Sequence, residues 1–331
     1  MRVYTEPTDL DRAALADALE HGWRIRPAHL EYLPVGFGSH HWEAVGADGS
    51  RWFVSADDLR AHKHGGRAPD DVFAALDRAF RTAAALRDDA GLEFVLAPEP
   101  ADGGAVLYRL NGRYAIRVEP FVEGVAAGSG EFECADDRRL MGTLVGRVHA
   151  ASGAVPPGLP GREAYVLPGR EALQAALAQP DSAWDSGPFA EPARALLRTH
   201  AEEIRERLRA FDQRAQRGGG DPASWVVTHG EPHSANVIRE PGGGLRLADW
   251  DTTLVAPRER DLWMTLDDDL TGWDEYREVT GSVTLNDEAL GLYRERWALA
   301  EICMYAAEFR QPHDETDDTR ASWDELREYL P

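Results

Sequence analysis

A short stretch of the chain, "VVTHGEPHSANVI" at positions 226–238, concentrates side chains that could do chemistry. Within it lie His229, Glu231, His233 and Asn236. Two histidines four positions apart beside a glutamate suggest a zinc hydrolase when they share one face of a helix. Here a glycine and a proline between the histidines oppose a helix, so zinc is disfavoured. A purely structural role for both histidines, as hydrogen-bonding residues of a loop, remains open.

The neighbouring segments predict where this stretch lies. "SWVVTH" is typical of a buried strand, and "NVIRE" and "GLRLADWD" are typical of two short strands joined by the turn "PGGG". The polar stretch is therefore predicted to be a loop that enters a β-hairpin. Asp249 and Asp251 fall where the second hairpin strand ends, so the hairpin brings them close to the loop.

This set of side chains suits phosphoryl transfer. The reaction needs a carboxylate that orients or accepts the proton of an attacking hydroxyl, and hard oxygen ligands that hold Mg²⁺ on the phosphates. Glu231 is predicted to be the base, Asn236 and Asp249 the metal ligands, and Asp251 a second carboxylate at the metal.

The elements that must position these residues change character along the chain. Three strand-like runs, one helix at Asp70 to Gly91 and two more strand-like runs occupy the N-terminal part. After a connection rich in glycine and alanine, the pattern becomes mainly helical. We therefore predict an α+β protein with an N-terminal unit at 1–122 and a helical unit at 123–331.

Composition excludes several functions. A formal charge of −22 argues against a nucleic-acid partner, which would need a basic surface. From Asp261 onward, 19 acidic residues stand against 6 arginines, which is either a solvated surface or a field that attracts a cation.

No run approaches the ~20 apolar residues of a membrane span. Two isolated cysteines and a start without a secretory pattern favour the cytoplasm, and the oligomeric state stays open.

The motifs together resemble a known family. "HGEPHSANVI" followed by "LADWDTTLVAPRERDL" is similar to the catalytic core of the aminoglycoside phosphotransferase and choline kinase family, and most of all to its spectinomycin phosphotransferase branch. The resemblance implies a bilobal protein-kinase-like fold, with an antiparallel five-stranded sheet, one packed helix and a mostly helical second lobe that carries an insertion at about 160–220. It also implies ATP or GTP and Mg²⁺ as cofactors.

The resemblance carries roles over to further positions. The loop "GFGSHH" would cover the nucleotide phosphates, and "VEPFVEG" would be the hinge beside the base. The acceptor would meet carboxylates from the acidic C-terminal part, while one aspartate would anchor the catalytic loop. The residues concerned are Gly36, Gly38, Ser39, Ser55, Glu119 and Phe121 for the nucleotide, Asp267, Asp268 and Glu301 for the acceptor, and His229, His233 and Asp261 for structure.

Two departures from the family pattern bear on activity. Ser55 stands where a strand lysine normally binds the α- and β-phosphates, and a serine cannot supply that charge. Glu231 replaces the usual aspartate and adds a methylene, which displaces the carboxylate by roughly 1 Å. Candidates for the missing cation are Lys63, Arg51, Arg60, His40 and His41.

Three hypotheses therefore stay open. The first is a kinase that phosphorylates a hydroxyl of a small cationic or polar acceptor, with an aminocyclitol or aminoglycoside antibiotic as the leading candidate. The second is a nucleotide-binding pseudokinase with a regulatory or scaffolding role, which the loss of the lysine favours. The third is another transfer reaction in the same cleft. The retained pair Asn236 and Asp249 favours the first.

Overall fold

The computed structural model describes residues 3–61, 67–128, 132, 134–218 and 220–330. The chain begins with helix α1 and a five-stranded antiparallel sheet, interrupted by helix α2. Strands lie side by side in the order β1-β2-β3-β5-β4. This confirms the predicted sheet. The elements are α1 (Arg12–Trp23), β1 (Pro27–Leu33), β2 (Ser39–Gly46), β3 (Arg51–Asp58), α2 (Pro69–Asp88), β4 (Tyr108–Leu110) and β5 (Tyr114–Pro120).

The two faces of this sheet differ chemically. Val54 and Ala56 of β3 are fully buried in an apolar cluster with Trp42 and with residues of α1. Because successive strand residues point to opposite faces, the intervening Ser55 and Asp57 lie on the other face. Both are also fully buried, so the sheet carries a buried polar surface on the side away from α1.

Most of the remaining chain is helical. A long helix, α9, is packed against several others, and its residues Leu299, Tyr305 and Phe309 belong to one apolar cluster. The amphipathic stretch "EPARALLRTHAEEIRERLRAFDQRAQ" is typical of one long helix, but it forms two, because His200 leaves helical geometry with ψ 13°. The helices are α3 (Ala135–Ala150), α4 (Arg170–Ala178), α5 (Ala190–Thr199), α6 (Ala201–Arg217), α7 (Glu259–Thr265), α8 (Trp273–Thr280), α9 (Asp287–Phe309) and α10 (Asp317–Tyr329).

Six short strands connect these helices and form two small sheets. The predicted hairpin is present as an antiparallel pair of β9 and β10. The segment "VPPGLPGREAYVLPG", predicted to be irregular, contains β7, which pairs in parallel with β11. The strands are β6 (Val125–Ala126), β7 (Gly161–Arg162), β8 (Val226–Thr228), β9 (Val237–Arg239), β10 (Leu245–Leu247) and β11 (Leu254–Ala256).

The predicted boundary after residue 122 lies just beyond the end of β5. The chain then enters β6, which pairs with β9 of the hairpin. The division into two units and the insertion at about 160–220, a range that holds β7, α4, α5 and α6, stay predictions. Within the described part of the chain, no helix is both long and apolar enough to cross a membrane.

Candidate active site

The loop at 229–236 joins β8 to β9 and is fixed by one buried carboxylate. Asp261, in the first turn of α7, accepts the backbone N–H groups of His229 at 2.8 Å and of Gly230 at 2.7 Å. His149 of α3 bonds the same carboxylate through Nε2 at 3.0 Å. Burial acts to raise the pKa of Asp261, but the hydrogen bond from His149 and the charges of nearby basic residues lower it overall. The loop backbone is therefore held from outside by an ionised group.

The side chain of His229 ties the loop to the hairpin. Its Nε2 lies 2.8 Å from the carbonyl oxygen of Ala248, and its Nδ1 lies 3.1 Å from the backbone nitrogen of Glu231. A carbonyl only accepts and an amide only donates, so His229 is neutral and protonated on Nε2. Burial lowers its pKa accordingly. Neutral His229 thus orients the backbone at the predicted base.

Gly230 and Arg260 are in close packing contact at the start of the loop. Gly230 has φ +105°, and a Cβ there would lie 2.4 Å from two guanidinium nitrogens of Arg260. Arg260 is itself buried, donating to the hydroxyl of Thr228 at 2.8 Å and to the carbonyl of Thr252 at 2.7 Å. The glycine therefore allows a cation to lie directly beneath Glu231.

Glu231 and Asn236 are linked within the loop. The Asn236 Nδ2 donates to the backbone carbonyl of Glu231 at 2.9 Å. Because this contact uses the nitrogen end of the amide, it fixes which way the Asn236 oxygen points. Both side chains line the same large cleft, which we call the central cleft. It has a volume of about 2670 Å³, well above the ~300–1,000 Å³ of a pocket for one small ligand.

The hairpin presents its two carboxylates to this cleft from a strained turn. Asp249 adopts φ +64°, a conformation uncommon for residues other than glycine and enriched at functional sites. Trp250 behind it is fully buried, with its ring 4.5 Å from that of His229. Asp249 and Asp251 both line the central cleft. The packing of Trp250 therefore directs its two neighbours outward.

The carboxylates influence one another. Burial and the negative charges of Asp251 and Asp249 raise the pKa of Glu231 to about 8, while Arg260 acts to lower it. The two ends of the hairpin meet at the backbone, where the N–H of Ala248 donates to the carbonyl of Asn236 at 2.9 Å. A carboxyl group with a pKa near neutrality is suited to proton transfer.

Among the described residues, none forms an ion pair with His233. It is half-buried beside Trp297, with ring centroids 6.2 Å apart, and burial lowers its pKa to about 4. Its Nε2 lies 3.5 Å from the Nδ2 of Asn236. A neutral His233 is consistent with the structural role predicted for it, which stays a prediction.

No zinc-type cluster accompanies these residues. Over the residues that the structure describes, no group of three or more His, Cys, Asp or Glu side chains could hold a metal ion. The predicted magnesium site instead consists of the Asn236 amide and the Asp249 carboxylate, both hard oxygen donors. Such a pair fits Mg²⁺, which keeps waters and substrate phosphates among its ligands.

The sheet supplies a cation on the other side of the cleft. Arg117 of β5 is 3% exposed, bonds Asp57 through Nη1 and donates from Nε to Glu119 at 2.9 Å. Its Nη2 lies 4.0 Å from the Asp249 carboxylate. Burial acts to lower the pKa of Arg117, but Asp57 and the neighbouring carboxylates raise it overall. Sequence reasoning missed Arg117, although an arginine inside the apolar run "RYAIRVEPFV" was a visible signal.

Ser55 does not contact the cleft. It is fully buried, and its hydroxyl bonds Nδ1 of His41 at 3.0 Å. Ser55 is not among the residues that line the central cleft, and its predicted place among the nucleotide-binding residues stays a prediction. Lys63, another candidate for the missing cation, lies outside the described residues. Arg51 bonds Glu43 at 2.5 Å and lies over the ring of Phe121 at 3.9 Å.

The glycine loop predicted to cover the nucleotide borders the central cleft. Gly36 and Gly38 have φ of +85° and +80°, and a Cβ on Gly36 would lie 2.9 Å from the His41 ring. Gly36 and Ser39 line the cleft. The Ser39 hydroxyl, however, donates to Asp57 at 2.5 Å, so it supports the Arg117 network.

Two hinge residues line the cleft beyond Arg117. Burial raises the pKa of Glu119, and within the described chain its Oε2 is enclosed without a hydrogen-bond partner. The backbone N–H of Phe121 donates to the carbonyl of Arg51 at 3.2 Å. Glu119 therefore presents a partly unsatisfied carboxyl group at this edge of the cleft, and its predicted role at the nucleotide stays a prediction.

The predicted acceptor residues occupy different surroundings. Asp267 accepts the Thr271 N–H at 2.8 Å and pairs with Arg138 at 3.4 Å, so it already has partners. Asp268 is exposed at the rim. Glu301 is half-buried on α9. All three predicted residues line the central cleft.

Aromatic side chains surround Glu301. The rings of Trp263 and Trp297 are 6.1 Å apart, and the Trp297 Nε1 donates to the hydroxyl of Tyr329 at 3.1 Å. The carboxylate of Glu301 contributes to the raised pKa of Tyr329 and, more weakly, to that of Glu231. Rings and carboxylates therefore converge beside the predicted base, although sequence reasoning had not singled out Trp297 or Tyr329.

Comparisons with known proteins agree with this geometry. The profile of a family described as "Phosphotransferase enzyme family" matches residues 41–289, from β2 into α9. Among curated proteins, the chain is similar to "Protein StrN" of Streptomyces griseus, at 29% identity over 315 residues. That alignment covers 91% of this chain and 86% of the relative.

Solved structures share the fold. A spectinomycin phosphotransferase in complex with ADP and spectinomycin has a TM-score of 0.74 at 15% identity, covering 97% of this chain and 95% of that one. An amicoumacin kinase in complex with AMP-PNP and Ca²⁺ has a TM-score of 0.58 at 13% identity, covering 97% and 93%. The choline kinase LicA of Streptococcus pneumoniae has a TM-score of 0.54 at 15% identity, and the match covers 96% of this chain and 98% of that one. The predicted kinase-like fold is thereby confirmed.

Proposed function

Because this chain belongs to the phosphotransferase enzyme family, we propose that it transfers the terminal phosphoryl group of ATP or GTP to a hydroxyl of a small cationic acceptor. The acceptor class that we propose is an aminocyclitol or aminoglycoside antibiotic, so that the reaction would confer resistance. The observation that carries the proposal is the convergence of Glu231, Asp249 and Asp251 on one cleft large enough for two ligands.

In this proposal Glu231 is the general base. Its carboxylate accepts the proton of the acceptor hydroxyl while the hydroxyl oxygen forms a bond to the γ-phosphorus, and the bond from that phosphorus to the bridging oxygen of the nucleoside diphosphate breaks. His229 and Asp261 hold the loop backbone so that the carboxylate faces the acceptor. The positive charge of Arg260 beneath the loop favours the ionised form of Glu231.

Asn236 and Asp249 are the proposed magnesium ligands, and Asp251 supplies a second carboxylate beside them. When bound, Mg²⁺ neutralises charge on the β- and γ-phosphates and aligns them. The turn that holds Asp249 at positive φ fixes one ligand, and the bond from Asn236 to the Glu231 carbonyl fixes the other. Metal and base are thus held by one continuous hydrogen-bonded segment.

The two ends of the central cleft are proposed to bind different ligands. The nucleotide would lie under the Gly36 loop, with its base beside Glu119 and Phe121. The acceptor would lie against Glu301 and the indole of Trp297, because carboxylates attract ammonium groups and aromatic faces stack on rings or cations. Asp267 and Asp268 would contribute negative charge at the rim.

A binding experiment tests the proposal. Thermal unfolding is recorded with ATP and with GTP, each with and without Mg²⁺, and then with a panel of aminocyclitols. A ligand at 100-fold excess over its Kd stabilises the native state by about 2.7 kcal/mol. Magnesium-dependent stabilisation together with release of ADP or GDP in the presence of an acceptor supports a kinase. Stabilisation without turnover across the panel would favour a pseudokinase, and no stabilisation would exclude both.

A further inference from the structure

The central cleft needs a phosphate-binding cation that its strand lysine position does not supply. The polyphosphate of the proposed nucleotide carries several negative charges, whereas Asp249, Asp251 and Glu231 line the cleft as acids. Mg²⁺ offsets only part of that charge. Ser55 is uncharged and fully buried, with its hydroxyl bonded to His41, so another residue has to supply the positive charge.

Three residues form a row across neighbouring strands. His41 of β2 is directly opposite Ser55 of β3, and Ser55 is directly opposite Arg117 of β5. Residues paired in this way in antiparallel strands point to the same face of the sheet. Arg117 is therefore the cross-strand neighbour of Ser55 on the same face of the sheet. A serine is shorter than the lysine that is usual at this position, and Arg117 lies directly opposite it on β5.

The contacts of Arg117 orient it towards the metal ligand. Nη1 bonds Asp57 and Nε donates to Glu119, which leaves Nη2 directed at Asp249 across 4.0 Å. Asp57 is held in turn by the hydroxyl of Ser39. The aromatic ring of Phe80 from α2 packs on the guanidinium, 4.5 Å from its carbon to the ring centroid. The guanidinium fork of Arg117 is therefore held by Asp57, Glu119 and Phe80, and its remaining side faces the cleft.

We propose that Arg117 is the phosphate-binding cation of this enzyme, taking the place of the strand lysine, and that Asp57 is the carboxylate that positions it. The inference rests on the proposed function, because it concerns the nucleotide. In this chain the ion pair lies within the sheet, between β5 and β3, and a helix contributes only an aromatic surface.

The test measures how much the phosphates add to nucleotide affinity. Titration calorimetry with adenosine, AMP, ADP and ATP, or with the guanine series, measures the affinity for each ligand. The gain in affinity from nucleoside to triphosphate, which we call the phosphate increment, is compared between the wild type and two variants. Arg117→Gln removes the charge, and Arg117→Lys keeps it without the fork. We expect the gain from nucleoside to triphosphate to fall about tenfold or more in Arg117→Gln, while nucleoside affinity is unchanged. Arg117→Lys should retain part of the gain.

Two further variants make the result specific. Arg113→Gln removes another arginine of the same sheet region, which pairs with Asp58 at 2.7 Å and does not line the central cleft. It should leave the phosphate increment at the wild-type value. Ser55→Lys added to Arg117→Gln returns a cation to the neighbouring strand and should recover part of the increment, which also shows that the Arg117→Gln protein can bind.

The outcomes separate this inference from the proposed function. A wild type that binds neither nucleoside nor nucleotide removes both. A wild type that binds and turns over nucleotide, with an unchanged increment in Arg117→Gln, overturns the role of Arg117 alone. If Arg117→Gln does not fold, the neutral variant Arg117→Met gives the same test, and an unchanged increment there overturns the role of Arg117 because the methionine carries no charge.

Discussion

The side-chain amide of Asn236 donates to the backbone carbonyl of Glu231 across 2.9 Å. One bond therefore joins the proposed metal ligand to the proposed base. It fixes the amide by its nitrogen and so presents the oxygen elsewhere, and it holds the loop backbone at the residue that must receive a proton. We therefore expect the proposed metal binding and proton transfer to be coupled through the loop.

Two variants at Asn236 separate these effects. Asn236→Ala should abolish magnesium-dependent nucleotide affinity and lower kcat by ~10²-fold or more, because both the ligand and the bond to Glu231 are lost. Asn236→Asp keeps an oxygen ligand but loses the N–H donor, so it should retain metal-dependent binding and still lose kcat. Calorimetry with and without Mg²⁺ and steady-state kinetics give both values. Wild-type kcat in Asn236→Asp would show that the bond is dispensable.

Glu231 is tested by charge and by length. Glu231→Gln should remove turnover and leave nucleotide affinity nearly intact, whereas equal losses would indicate a structural role. Glu231→Asp withdraws the carboxylate by one methylene and should lower kcat by up to ~10²-fold. Retention of full activity in Glu231→Asp would mean that the loop tolerates either residue.

The raised pKa of Glu231 predicts a pH dependence. A base must be ionised, so kcat/KM should rise with pH and level off above the pKa of the free enzyme. That pKa is about 8 without a cation in the cleft, and a cation at Asp249 opposes the repulsion that raises it. We therefore expect the rise to move to lower pH as Mg²⁺ is increased. A profile that is independent of Mg²⁺ would separate Glu231 from the metal site.

Much of this arrangement follows from local sequence signals, and the rest does not. The hairpin, the five-strand sheet and the position of the loop were predictable because alternating apolar residues and glycine turns are short-range features. The contact between Arg117 and Asp57 is not short-range, since the two residues are brought together by the register of β3 and β5. The division of the long helix at His200 likewise depends on packing. Residues whose role depends on cross-strand partners therefore cannot be identified from short-range sequence patterns.

Gly230 should tolerate no side chain. Gly230→Ala forces a Cβ to within 2.4 Å of the Arg260 guanidinium at φ +105°, so we expect loss of activity and of unfolding free energy. Gly49 offers a matched control, because it has φ +83° with nothing within 4 Å of a Cβ. Gly49→Ala should cost about 1–2 kcal/mol from backbone strain alone, with kcat unchanged. Equal effects of the two variants would mean that the Arg260 contact is unimportant.

The acceptor pocket is tested by comparing two acidic residues. Glu301→Gln should raise the acceptor KM and leave the nucleotide KM unchanged, because its carboxylate lies among aromatic rings of the cleft. Asp267 already pairs with Arg138 and caps Thr271, so Asp267→Asn should mainly lower stability. The reverse pattern would place the cationic end of the acceptor at Asp267. Steady-state kinetics with the acceptor found in the panel decide between them.

Glu308 provides a stability test that is independent of catalysis. It is 5% exposed on α9, and burial raises its pKa from 4.5 to about 7. The native state therefore binds the proton more tightly than the unfolded chain, so the unfolding free energy falls as the pH rises from 4.5 to 7. Above pH 7 the ionised Glu308 carboxylate lowers the unfolding free energy by its full amount, up to about 3 kcal/mol for such a pKa shift.

Replacing Glu308 with a neutral isostere should remove that cost. Glu308→Gln is expected to raise the unfolding free energy at pH 8 and to have little effect near pH 4.5, where the wild-type carboxyl is already protonated in the native state. Chemical denaturation at both values measures the difference. Glu278 is exposed on α8, so Glu278→Gln is the control and should change neither value. A loss of stability in Glu308→Gln at pH 8 would mean that the ionised carboxylate has a stabilising partner.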